Sequence, residues 1–283
     1  MEHIDGFQIL RKVAESNTAE IFHAVRVAAR TRGGEAAIKV LRPEFARSRV
    51  ERAYLENEYR IGAALDHPNI VRIHEVRMSA ERPFLVMDLV PGQSLRQRLD
   101  KERPPLADAV EWLAQVADGL AYGHDRGYLH RDVKPQNIVV ADGEPVRIID
   151  FALAIRQDSS WGKYLLRRLT EWRRPGTWSY MSPEQILHKR LTAAVDLYGL
   201  GVTLFETTTG RLPYTAKTPQ GLLEQHLFAP IPSIRSLRSD VPQELDDLAR
   251  TMMAKNPLDR PAGMRYVSGK LRSLLAACRN VPA

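Results

Sequence analysis

The stretch YLHRDVKPQNIVV, residues 128–140, holds the side chains of this sequence best suited to chemistry. Lys134 follows Asp132 by two positions, and Asn137 follows it by five. An aspartate can orient an attacking hydroxyl and accept its proton. An asparagine can help hold Mg²⁺, and a lysine can neutralise charge on a group in transit. Together these residue types suit phosphoryl transfer, a reaction catalysed by positioning and electrostatic stabilisation. Thirteen residues beyond Asn137, IIDFALA adds a further carboxylate, Asp150, at the end of an apolar run. Taken alone, an Asp-Phe-Ala is an ordinary strand end, and a lone lysine such as Lys39 in AAIKV is an ordinary solvated one.

HRDVKPQN resembles the catalytic loop of the eukaryotic-type protein kinases, and an eight-residue pattern of this kind is too specific for chance. The resemblance runs in order over about residues 7–275 and looks most like the bacterial Hanks-type Ser/Thr kinases. It implies an α+β, bilobal protein-kinase fold within one kinase domain spanning 1–283. The small β-rich N-lobe with helix C would occupy about 1–88, the hinge about 88–92 and the larger helical C-lobe about 93–283. It also implies ATP with Mg²⁺ (or Mn²⁺), and a protein Ser or Thr hydroxyl as acceptor. Asp132 then matches the catalytic base and Lys134 the lysine typical of Ser/Thr kinases. Asn137 and Asp150 match the metal ligands. Lys39 matches the lysine of the third strand, with Glu58 rather than Glu56 as its helix-C partner. In RRPGTWSYMSPEQ, Thr177 stands for the threonine that contacts the catalytic loop, and Ser182-Pro183-Glu184 for Ala-Pro-Glu. Asp196 in DLYGLG would accept backbone N–H bonds from the catalytic loop, and Arg260 would pair with Glu184. For the nucleotide, the resemblance points to Val13, Ser16, Asn17, Ile21, Ala37, Met87, Asp88, Val90, Ser94 and Val139. Met87 would be the gatekeeper, backbone groups of Asp88 and Val90 would bond adenine, and Ser94 stands where many kinases place an acid for ribose.

Two positions depart from that pattern. In KVAESNTAEIFHAV the three glycines of the phosphate loop are replaced by Ala14, Ser16 and Ala19. Glycine permits close backbone approach and positive φ. Ala14 and Ala19 add one methyl each, the Ser16 hydroxyl could itself bond phosphate, and Asn17 tolerates a left-handed backbone. The loop's acids, Glu15 and Glu20, would not help phosphate. The second departure is Ala152, where the family has the glycine that lets the metal-binding aspartate flip.

The elements that must position these residues follow from pattern. FQILRKVA, EIFHAVRVA and GEAAIKVL alternate as strands. SRVERAYLENEYRIGAALD has apolar residues at helical spacing (Val50, Tyr54, Leu55, Ile61, Leu65) and ends at DHPN. IVRIHEVRM and PFLVMDLV are two more strands. LADAVEWLAQVADGLAYGHDRG is an amphipathic helix with Val110, Leu113, Ala117, Leu120 and Ala121 on one face. Beyond residue 184 helices dominate.

Composition bounds the rest. The chain of 283 residues is 44% hydrophobic and 27% charged, ordinary for a soluble globular protein. One cysteine, Cys278, rules out an internal disulfide and reads as a small apolar residue on a terminal helix. MEHIDGFQIL does not read as a signal peptide, no run reaches membrane-span length, and the expected location is cytoplasmic. Net charge is +7, and the segment RQDSSWGKYLLRRLTEWRR, residues 156–174, carries a net +4. It reads as a basic amphipathic helix in the activation segment. Packing on its own C-lobe or blocking the cleft is favoured over docking to an anionic partner or membrane surface. No nucleic acid is expected, and dimerisation is open. Thr170, with Ser159 and Ser160 as lesser candidates, is the expected phosphosite, and Arg131 its phosphate partner. The competing functional reading is a pseudokinase, a nucleotide- or partner-binding scaffold, supported by the glycine-free loop and Ala152. Against it, Lys39, Glu58, Asp132, Lys134, Asn137 and Asp150 are all present. A small-molecule kinase fits poorly with GTWSYMSPEQ and Lys134.

Overall fold

The computed structural model describes residues 3–27, 34–157 and 178–279. Its N-terminal half-barrel is an antiparallel six-stranded sheet in the order β1-β2-β3-β4-β6-β5. The strands are β1 (His3–Ile4), β2 (Phe7–Glu15), β3 (Ala19–Arg26), β4 (Glu35–Leu41), β5 (Ile73–Arg77) and β6 (Phe84–Met87). One face buries Phe7, Phe22, Ala24, Ile38, Val40 and Phe84. The other packs Ala37, Leu85 and Met87 against Leu55 of helix α1 (Arg49–Gly62).

Helix α1 starts where Ser48 accepts a hydrogen bond from the Glu51 amide, an N-cap that satisfies one orphan donor. Tyr54, Leu55 and Ile61 are buried as the periodicity requires, whereas Val50 in the first turn is exposed. Gly62 lets the helix end sit on β5, since a Cβ there would come within 2.2 Å of Ile73 Cδ1. The joint between the lobes ends at Gly92, with φ 105°, where a Cβ would meet the Val140 carbonyl oxygen at 2.2 Å.

The C-terminal lobe is built on α3 (Leu106–Asp125), which packs chiefly against α8 (Met264–Arg279) and α5 (Ala194–Thr209). All five residues expected on the inner face of α3 are buried. Helices α4 (Pro183–Ile186), α6 (Pro219–Phe228) and α7 (Gln243–Met252) complete it, and Cys278 is buried on α8. Short strands β8 (Tyr128–Leu129) and β11 (Ile155–Arg156) pair with each other, as do β9 (Ile138–Val140) and β10 (Arg147–Ile148). They hold the loops 130–137 and 149–154 side by side. Sequence reading passed over α2 (Leu95–Lys101) and the short strand β7 (Gln93–Ser94) before it. The available signal was Ser94-x-x-Gln97, a complete capping box in the structure. Among the described residues no helix is long and apolar enough to cross a membrane.

Candidate active site

Lys39, in the middle of β4, lies 2.7 Å from Glu58 on α1 and 3.3 Å from Asp150. Glu58 is almost wholly buried, so its charge is matched in a poorly solvated place. Glu56, the other carboxylate of the pattern, is exposed on the far side of the helix. Three elements from distant parts of the chain thus meet at one ammonium group.

Asp132 is held from two sides. Its Oδ2 accepts from Asn137 Nδ2 at 3.0 Å and lies 2.8 Å from Lys134 Nζ. Asn137 Nδ2 also donates to the Asp132 carbonyl at 2.9 Å. The other oxygen, Asp132 Oδ1, is buried and has no hydrogen-bond partner among the described residues. An unpaired buried carboxylate oxygen is costly, and its retention marks a place for a ligand donor or cation.

The backbone around these groups is strained. Arg131 and Asp150 adopt φ values of 70° and 65°, left-handed for non-glycine residues. Asp196, at the start of α5 and 1% exposed, accepts from the amides of His130 at 2.9 Å and Arg131 at 2.6 Å, and from His124 Nε2 at 2.7 Å. Burial pushes the Asp196 pKa up, but the His124 contact and the amide bonds outweigh it and hold the carboxyl below its usual range. Behind the loop, the Arg260 guanidinium forks onto Glu184 at 2.6 and 2.9 Å, both buried, and lies over the Tyr198 ring. Gln185 Nε2 donates to the Arg131 carbonyl at 3.1 Å, and Arg131 Nη1 donates to the Leu153 carbonyl at 3.0 Å.

The glycine-free hairpin is closed without any positive φ between residues 14 and 20. Ser16 N donates to the Ala19 carbonyl at 2.8 Å, and the Ser16 hydroxyl accepts from the amides of Ala19 at 3.1 Å and Thr18 at 3.4 Å. The hydroxyl expected to reach phosphate is therefore turned inward and closes the turn, because the β2–β3 connection leaves those amides without strand partners. Glu15 and Glu20 are not bare acids either. Lys12 bridges both, Arg42 reaches Glu15 at 3.0 Å and Arg82 reaches Glu20 at 2.7 Å. Lys12 holds the Glu15 pKa down, while Arg82 and then Lys12 do the same for Glu20. Val13 and Asn17 are exposed.

The apolar slot beside the hinge collects Ile21, Ala37, Met87 and Val90 in one cluster. Val139 stands on β9, paired with Ser94 and Arg147 rather than within that cluster. Two polar groups expected beside the hinge already have partners. The Asp88 amide donates to the Arg72 carbonyl at 3.0 Å, so of its two backbone groups the amide is already bonded within the protein. The Ser94 hydroxyl is occupied in the α2 capping box, because helix N-termini present unpaired amides that a serine readily satisfies. Thr177, Thr170, Ser159, Ser160 and nearly all of the basic segment lie outside the described residues.

One participant escaped sequence reading. Asn57, next to Glu58 on α1 and 3% exposed, donates to backbone carbonyls just past Asp150. Its signal was a poor helix former inside the buried stripe of Tyr54 and Ile61.

A family model for the protein kinase domain matches residues 7–270. The serine/threonine-protein kinase PknH of Mycobacterium bovis is 34% identical over 229 residues, 80% of this chain and 37% of its own length. The probable serine/threonine-protein kinase PknB of Lactococcus lactis is 30% identical over 257 residues, 90% of this chain and 40% of its own length. The chain thus spans about two fifths of these curated relatives. The kinase domain of Mycobacterium tuberculosis PknI superposes with a TM-score of 0.70 at 23% identity, covering 96% of this chain and 97% of that one, a likeness of fold. With the ordered set from Lys39 to Asp150 in place, the chain belongs to the protein kinase domain family.

Proposed function

We propose that this chain transfers the γ-phosphoryl group of ATP to serine or threonine hydroxyls of a protein substrate. The observation that carries the reading is Asp132, fixed through one oxygen by Lys134 and Asn137 while the other stays unpaired. That free Oδ1 orients the acceptor hydroxyl and takes its proton, and Lys134 offsets negative charge that develops beside it. Lys39, anchored by Glu58, provides a fixed cation for phosphate oxygens. The family uses ATP and Mg²⁺. Among the described residues no cluster of three or more His, Cys, Asp or Glu side chains could hold a metal ion. Asp150 with Asn137 instead fits Mg²⁺, which takes one or two protein ligands and completes its shell with phosphates and water. When bound, Mg²⁺ would neutralise phosphate charge. Ile21, Ala37, Met87, Val90 and Val139 would line the adenine slot, with the Asp88 carbonyl at its edge. The amides of Ser16, Thr18 and Ala19 bond within the turn, so the Asn17 amide, rather than the Ser16 hydroxyl, would face phosphate. The pseudokinase alternative is not favoured, because no charged position of the set is missing.

The test is labelled ATP with Mg²⁺ and a generic Ser/Thr-rich protein acceptor, run on the wild type and Asp132→Asn. Label in the wild type and its near-complete loss in the variant support the reading. Nucleotide binding without label in either overturns it. For regulation we propose phosphorylation at Thr170, or at Ser159 or Ser160, with Arg131 as the phosphate's partner. Mass spectrometry after incubation with ATP checks it, and absence of phosphate in 156–177 counts against it. An anionic partner or membrane surface for the basic segment, and dimerisation, stay proposals of the same rank.

A further inference from the structure

Helix α1 is joined to the Asp150 segment twice. The first junction runs through Lys39, between Glu58 and Asp150. The second does not involve charge. Asn57 Nδ2 lies 3.0 Å from the Ala152 carbonyl, 2.9 Å from that of Ala154 and 3.4 Å from that of Phe151. Two amide hydrogens satisfy the two shorter contacts, and the third is a longer, shared one. Arg60 Nη2 donates to Asn57 Oδ1 at 2.8 Å, which fixes the amide with its nitrogen toward the carbonyls. Beside it Tyr54 packs on Ala152 and Leu153. A buried amide inside a helix is unfavourable unless it is bonded, and here its donor side is bonded entirely to another segment.

That segment needs holding. Asp150 sits at φ 65°, a conformation that persists only where the surroundings impose it. The side chain of Asp150 accepts from the Ala152 amide at 3.3 Å, so the backbone that Asn57 grips is the same backbone that orients the carboxylate. Ala152 narrows the backbone choices of the segment relative to glycine but cannot choose among them. A cross-element clamp can.

We propose that Asn57 is a positioning residue: it latches α1 to the backbone at 152–154, so that the Lys39–Glu58 ion pair and the inward placement of Asp150 form together. The proposal rests on the phosphotransfer reading only in the sense that Asp150 faces metal and nucleotide.

The test uses the whole chain with Asn57→Leu, which keeps shape and removes the donors, and Asn57→Ser as the second variant should the first not fold. Three readouts are taken. Hydrogen exchange of the peptide covering 151–157 should quicken at least tenfold without nucleotide, while peptides from α3 stay unchanged. The Mg²⁺ concentration needed for half-maximal binding of a fluorescent ADP should rise about tenfold, with Mg²⁺-free ADP affinity held within twofold. In the Ala152→Gly background both effects should grow, because glycine widens the alternatives that the latch excludes. Unchanged exchange at 151–157 in a folded Asn57 variant overturns the proposal, as does an equal loss of ADP affinity with and without Mg²⁺. The exchange readout needs no catalysis. A wild type that transfers no phosphate, with quickened exchange still seen in the Asn57 variant, defeats the functional reading alone.

Discussion

The hairpin at 15–20 and the paired loops at 130–137 and 150–154 serve one candidate site, yet they are built on opposite terms. The hairpin has lost every glycine and has no residue at positive φ. It is exposed at 15–17, closed by its own Ser16 hydroxyl, and braced by surface ion pairs. The catalytic loops hold the buried Arg131 and the half-buried Asp150 in left-handed conformations without glycine, through Asp196 and Asn57. The hairpin shows that glycine is dispensable where the backbone path is ordinary. The catalytic loops show that strain survives at non-glycine positions when buried partners over-determine it.

The largest expected effect lies in the strained region. Asp132→Asn should lower kcat by roughly 10³-fold, within the usual range for losing a general base, with the KM for ATP little changed. Initial-rate kinetics check this, and a loss under tenfold would remove Asp132 from the centre of the mechanism. Next, Asp196→Ala should cost about 3 kcal/mol of stability, since it strands two buried amides and His124. Urea unfolding reads that cost, and a change under about 1 kcal/mol would mean the loop holds its shape unaided.

The same aspartate gives a pH dependence of defined sign. Its folded pKa lies below the unfolded value, so its contribution is present above the unfolded value of 3.8. That contribution is lost as pH falls through the folded value. Asp196→Asn should flatten the acid limb of a Tm-against-pH curve and leave the neutral limb parallel to that of the wild type.

The hairpin should respond in the opposite manner. Restoring glycine with Ala14→Gly and Ala19→Gly together should destabilise the protein by about 1–2 kcal/mol, because no positive φ rewards the added freedom. It should also leave kcat/KM for ATP no better than before. A rise above threefold would show that the missing glycines do limit nucleotide handling. Smallest of all, Lys12→Ala should not shift Tm measurably, since Lys12 is itself exposed and its partners Glu15 and Glu20 have Arg42 and Arg82 beside them. A clear drop there would erase the contrast between the two regions.

Much of the site was legible because its members are local. Asp132, Lys134 and Asn137 share one short loop, so one continuous stretch carries the resemblance that reveals them. Glu58 was separable from Glu56 because it lies seven residues before Leu65 and the HPNIV turn, the spacing of the family's helix-C glutamate. Arg260 with Glu184 needed the longer pattern and was still readable. The Ser16 and Ser94 hydroxyls have local partners for a common reason: a hydroxyl is bonded by whichever unpaired amide lies nearest, and a turn or a helix start supplies one. Asn57 was invisible because its partners lie 94–97 residues downstream.

By itself, the sequence determined the set of reactive side chains, the faces of α1 and α3 and the alternation of the strands, because these follow from residue type and from periods of two and 3.6. Only the tertiary structure decided which oxygen of Asp132 stays open, which hydroxyls are already occupied, and which residues are held left-handed. Those outcomes depend on groups far apart in the chain being brought within about 3 Å, a hydrogen-bond distance that no local pattern encodes.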